Sequence, residues 1–129
     1  MKNIFMFATI ALLSTSIVSC NKDKENPTIV VSTPENHTTF KWGEEVHVEA
    51  TFTDDTELKS YKVFVGDADG NHNHDIGFME EGTTTETSYE FHEHFMIPDS
   101  VASMAYIYFE VTDAEEKTTT EQVMIHFEE

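Results

Sequence analysis

Val46-His47-Val48-Glu49-Ala50-Thr51-Phe52 alternates apolar and polar side chains without a break. Successive side chains of a β-strand point to opposite faces, so this stretch predicts a strand with one face in a core and the other in water. A helix would need its apolar residues three and four apart. The same period recurs along the chain. Tyr61, Val63 and Val65 flank Lys62 and Phe64. Tyr89, Phe91, Glu93 and Phe95 alternate with Glu90, His92, His94 and Met96. Ala105, Ile107, Phe109 and Val111 alternate with Tyr106, Tyr108 and Glu110, and Val123, Ile125 and Phe127 with Gln122, Met124, His126 and Glu128. The β-branched run from Thr28 to Ser32, closed by Pro34, predicts a short edge strand. Asp54-Asp55-Thr56, Pro98-Asp99 and residues 113–117 supply turns. Residues 35–45, which include Trp42 and Gly43, read as a loop, as does the long stretch 66–84. Nothing in the domain predicts a helix. The expected fold is all-β, an antiparallel sandwich of about seven strands.

A length of 129 residues allows one domain. Residues 1–19 have the form of a removed secretion signal. Lys2 supplies the positive start, and Ile4 to Leu13 is an apolar run too short to span a bilayer. Ile17-Val18-Ser19-Cys20 resembles a bacterial lipobox, in which the cysteine is lipidated and becomes the first mature residue. Cys20 is the only cysteine, so no disulfide can form within the chain. Residues 20–27 are polar and aperiodic and read as a flexible tether. Residues 28–129 form the domain. Asn21 after the cysteine resembles lipoproteins sorted to the outer membrane of Gram-negative bacteria.

From Cys20 onward the chain has 25 acids against six lysines and no arginine, a net charge of −19 with neutral histidines. Nucleic acids and anionic lipid head groups need basic patches, so the acidic balance argues against both as partners. Cations are favoured, and an acidic surface also serves solubility.

Three stretches resemble bacterial immunoglobulin-like domains over roughly residues 28–129. Pro27-Thr28-Ile29-Val30-Val31 with Pro34 is similar to a first strand and its kink. Phe52-Thr53-Asp54-Asp55 with Leu58 and Tyr61 is similar to the corner between the second and third strands. Phe109-Glu110-Val111-Thr112-Asp113 is similar to the final hairpin. The histidine-bearing loop resembles that of single-domain envelope lipoproteins of unknown function. The resemblance implies a sandwich and no activity.

Seven histidines are present, and four of them form two His-x-His pairs: His72 with His74 in the acidic loop Gly66–Asp75, and His92 with His94 on a strand. Imidazole is the commonest metal-binding side chain. Side chains two apart on a strand share a face, and Phe91 and Phe95 claim the core, so His92 and His94 face outward. In the implied immunoglobulin-like topology all seven histidines fall toward one pole of the sandwich. His72, His74, His92, His94 and His37 are the candidate metal ligands, while His47 and His126 read as surface residues. Zinc or copper suits imidazole donors, and Met96 beside His94 would admit copper(I). Calcium is the lesser candidate. Asp67-x-Asp69-Gly70-Asn71 with Asp75 resembles the start of a calcium loop but departs from its pattern, with Phe78 where the bidentate glutamate belongs. Asp54, Asp55 and Asp113 read as turn caps at the opposite pole.

No catalytic triad or glycine-rich phosphate loop is legible. Histidine-rich sites on Greek-key sandwiches perform copper redox chemistry in some families, so a metalloenzyme is a lesser alternative. The expectation is an envelope lipoprotein that binds a transition metal for capture, buffering or hand-over. The alternative from a different class is a structural or adhesive module that binds an envelope protein or glycan, with incidental histidines.

Overall fold

The computed structural model describes residues 25–129. The signal segment 1–19, the lipobox cysteine Cys20 and most of the expected tether lie outside the described residues. Pro27, at the tether's end, is already buried, and its carbonyl accepts a hydrogen bond from Thr119 Oγ1 at 2.6 Å. Among the described residues there is no helix, and so none long and apolar enough to cross a membrane.

Eight strands form two sheets: β1 (Thr28–Thr33), β2 (Thr38–Lys41), β3 (Glu45–Thr53), β4 (Leu58–Gly66), β5 (Met79–Thr83), β6 (Ser88–Met96), β7 (Met104–Asp113) and β8 (Thr118–Glu128). One sheet has the order β1-β3-β6 and the other β2-β8-β7-β4-β5. Each long strand has the expected face inward. Val46, Val48, Ala50 and Phe52 of β3 meet Val63 and Val65 of β4, Ile107 and Phe109 of β7, and Ile125 of β8 in one core.

The structure corrects the sequence reading at two strands and one pairing. β2 lies inside the expected loop 35–45 and pairs with β8 in parallel, so the sheets are not wholly antiparallel. β5 lies inside the expected loop 66–84. Its sequence, Met79-Glu80-Glu81-Gly82-Thr83, has poor strand propensity. Pairing with β4 overrides that weakness, with Lys62 opposite Glu81 and Val63 opposite Glu80. Gly82 is required where it stands, because a methyl group there would overlap the Tyr61 ring and hydroxyl.

Tyr61 of β4 and Tyr89 of β6 tie the two sheets together. Their rings lie 4.7 Å apart and their hydroxyls 2.9 Å. Burial, and then the hydrogen bond with Tyr89, pushes the Tyr61 hydroxyl up to about 12. The turns are closed by carboxylates. Asp54 Oδ2 accepts from the Thr56 and Glu57 N–H groups, both at 3.1 Å. Asp113 is fully buried, and its Oδ1 accepts from the Glu115 and Lys117 N–H groups at 2.9 and 2.8 Å. The two residues cap turns, as their sequence suggests.

Removing the Phe109 side chain leaves a cavity that the close-packed interior cannot fill, so Phe109→Ala is expected to cost about 3–5 kcal/mol. His94→Ala, on the wet face, should stay within about 0.5 kcal/mol of the parent. Urea unfolding with an unchanged slope measures both. Equal losses would contradict the assignment of faces.

Candidate functional site

Once the fold is set, the histidines sort into three groups. The first stands on the outer face of the β1-β3-β6 sheet. The ladder puts His47 of β3 directly opposite His94 of β6, and Glu49 opposite His92. The His47 and His94 ring centres are 5.9 Å apart, and those of His47 and His92 are 6.2 Å apart. Carboxylates hold two of the rings: Glu45 Oε1 is 2.7 Å from His47 Nε2, and Glu49 Oε1 is 3.4 Å from His92 Nε2. All three histidines are exposed, and Met96 continues the row.

His72 and His74 form the second group, in the loop after β4. Their ring centres are 4.8 Å apart and the rings are nearly perpendicular. The loop turns back on the strand it leaves, with a bridge from Gly66 to His72 and a 2.8 Å hydrogen bond from Asn73 N–H to the Val65 carbonyl. Gly66 permits this, since a Cβ there would come within 2.7 Å of the Asn71 carbonyl oxygen. The His72 ring packs edge-on against Phe64, which stacks on Tyr108. Its Nε2 is buried without a hydrogen-bond partner. Phe64 and Tyr108 alternate with the core residues of β4 and β7, which places them, and His72 with them, on the outer face of the five-stranded sheet.

His37 and His126 are the third group. The His37 Nδ1 and His126 Nε2 atoms are 3.2 Å apart. His126 alternates with Ile125 and Phe127 of the core, so this pair also stands on the outer face of the five-stranded sheet.

The two His-x-His pairs are therefore not brought together. His92 and His94 gain His47 as a neighbour, while His72 and His74 lie across the thickness of the sandwich. His37 joins His126 and neither pair. Among the described residues no three His, Cys, Asp or Glu side chains converge as a ready-made metal group. His47 and His126 are the residues that sequence reasoning passed over. Each acquires its imidazole neighbour through long-range pairing that no local pattern encodes.

The acidic loop is closed by its own hydrogen bonds. Asp67 Oδ1 accepts from the Asp69 and Asn71 N–H groups, both at 2.9 Å, and Oδ2 accepts from the Asn71 side-chain amide at 3.1 Å. Both oxygens thus accept hydrogen bonds within the turn. The Asn71 backbone N–H, followed by its side-chain amide, holds the Asp67 carboxyl below its ordinary value. Tyr108 donates to the Asp67 carbonyl at 2.6 Å, pinning the loop to β7. Desolvation first, then the Asp67 charge, raises the Tyr108 hydroxyl above its usual value.

Two sheets packed face to face, with turns closed by aspartates and the histidines on the outer faces or in loops beside them, define an immunoglobulin-like β-sandwich domain. The chain belongs to the family described as a domain of unknown function, DUF4625, which matches residues 16–128. No curated protein matches the sequence. Solved structures share the fold at low identity. A Niemann-Pick type C2 protein from Japanese carpenter ant is 16% identical, with a TM-score of 0.50 over 83% of this chain and 98% of its own. The fibronectin(III)-like modules of Clostridium thermocellum CbhA are 20% identical, with a TM-score of 0.50 over 80% of this chain. OgpA from Akkermansia muciniphila is 15% identical, with a TM-score of 0.53 over 84% of this chain. The chain spans 47% of the CbhA structure and 32% of the OgpA structure.

The lowered Asp67 carboxyl carries a signed pH dependence. A carboxylate held below its ordinary value supports the folded loop fully above about pH 4, and that support is lost as pH falls through the lowered value. The Asn71 and Asp69 amide resonances should hold their positions from neutral pH to about pH 5 and move only at more acid values. Asp67→Asn keeps an acceptor oxygen but removes the charge, and should flatten that acid response.

Proposed function

We propose that this domain is a lipid-anchored envelope module that binds a divalent transition-metal ion, zinc or copper, through exposed histidines. The observation that carries the reading is the His47, His92 and His94 patch: three imidazoles from two neighbouring strands, faced to solvent, two of them with a glutamate oxygen beside a ring nitrogen, at 2.7 and 3.4 Å. Imidazole nitrogen is a good donor for both metals, and a carboxylate on the ring's other nitrogen orients the ligand and raises its basicity. The exposed side chains need only turn to share an ion. A net charge of −18 for the whole chain draws cations toward the surface. His72 and His74 supply a second, weaker donor pair on the opposite face. An open site of this kind suits capture, buffering and hand-over, since a ligand exchanged from solvent meets no barrier of closed protein. The lipobox-like Ile17-Val18-Ser19-Cys20 supports attachment through Cys20, in the outer membrane of a Gram-negative bacterium.

Zinc titration by calorimetry should show binding that the combined His47→Ala, His92→Ala and His94→Ala substitutions weaken by about tenfold or more. Protons compete for the same nitrogens, so affinity should fall steeply between about pH 7.5 and 5.5. Zinc binding that ignores both changes would leave the domain a structural or adhesive module that binds protein or glycan.

Anchoring has its own test. Cys20→Ser should either move the protein out of the membrane fraction or leave its precursor uncleaved, because stable anchoring takes more than one acyl chain and all would sit on this residue. Membrane fractionation with intact mass measurement reads both. A Ser variant that sediments with membranes at the parent's mature mass would remove the lipid anchor from the reading.

A further inference from the structure

The third histidine group differs chemically from the first. Among the described residues no carboxylate pairs with His37 or His126, whereas glutamates pair with His47 and His92. Two methionines hold neighbouring positions in the ladder instead. Met104 of β7 is directly opposite His126 in the β7–β8 ladder, and Met124 precedes His126 by two residues on the same face. Met104 is 40% exposed, although a packing methionine would be covered.

The backbone that presents these rings is already fixed. His37 has a φ of 68°, in the left-handed region, and its N–H donates to the Met124 carbonyl at 2.7 Å. Asn36 Oδ1 accepts from the Met124 N–H at 2.8 Å, and the Thr38 hydroxyl donates to the Glu35 carbonyl at 2.7 Å. The two imidazole planes are within 17° of parallel. At their N···N separation of 3.2 Å, two metal–nitrogen bonds of about 2.0 Å would enclose an angle of about 106°, close to tetrahedral. The nitrogens need to turn toward a common point, not to separate.

We propose that His37, His126 and Met104 form a site for a soft monovalent cation, copper(I) or silver(I). Imidazole with thioether is the donor set that selects copper(I), while zinc gains little from the sulfur. In the metal-free pair one ring donates its proton to the other. Binding places that proton on the donor ring's other nitrogen, so a neutral pair takes up the cation without net proton release and without redox change. The site lies on the sheet opposite to His47, His92 and His94, and the proposal does not rest on the zinc or copper(II) reading of that patch.

The test uses the purified protein carrying His47→Ala, His72→Ala, His74→Ala, His92→Ala and His94→Ala, which leaves His37 and His126 as the remaining histidines. Copper(I), generated with ascorbate under argon, is competed against a chromogenic copper(I) chelator. The expected result is one copper(I) per chain with a sulfur scatterer in its X-ray absorption spectrum. Met104→Leu conserves volume and packing, and should weaken copper(I) binding by about tenfold or more and remove that scatterer. His126→Asn should weaken binding further. In the otherwise unsubstituted protein, Met104→Leu should leave zinc affinity unchanged. Copper(I) affinity indifferent to both substitutions, no sulfur scatterer in the parent, or equal loss of zinc and copper(I) in Met104→Leu would overturn the site.

Discussion

Successive residues on a strand of this sandwich point to opposite faces of its sheet, one toward the core and the next toward the outer face. That geometric constraint governs the molecule. Phe91 and Phe95 are buried because they meet the facing sheet, and His92 and His94 are exposed for the same reason. Burial of the inner faces supplies the driving force, at about 25 cal/mol for each Å² of apolar surface removed from water. The exposed parts of the outer faces contribute little to that total, which leaves their composition open to chemistry. Every histidine group of the protein is on an outer face or in the loop folded against one.

Edges impose the second constraint. β6 ends the three-stranded sheet, and Glu93 sits on its inward row, opposite Val48, yet stays exposed. An inward-pointing charge on an edge strand discourages pairing with another chain. β5 closes the other sheet with two glutamates and the glycine that admits Tyr61. The Tyr61–Tyr89 contact then joins the two sheets near these edges through ring stacking and a shared hydrogen bond. Exposed ion pairs such as Lys62 with Glu81 add little beside this, because solvent screens them.

The loop after β4 shows how hydrogen bonding decides where a motif ends up. Acid and amide side chains there could bind a cation or one another. The N–H groups of Asp69 and Asn71 satisfy Asp67, and Tyr108 fastens the loop to the outer face of its own sheet. His72 follows, against Phe64. The loop therefore folds away from His92 and His94, and the five expected ligands, His72, His74, His92, His94 and His37, fall into three separate groups.

The sequence by itself determined the fold class, most of the long strands, the inward residues Val48, Val63, Ile107 and Phe109, and the outward direction of His92 and His94. Period-two alternation is a local property, and burial enforces it. The sequence also determined that Asp54 and Asp113 close turns, since their acceptors reach N–H groups only a few residues away. Only the tertiary structure decided that β2 and β5 are strands: pairing with β8 fixes a segment of only four residues in β2, and pairing with β4 outweighs weak propensity in β5. It alone set His47 beside His94 and His37 beside His126, partners separated by 47 and 89 positions in the chain. Register between distant strands depends on how whole faces pack, and no window of sequence contains that information.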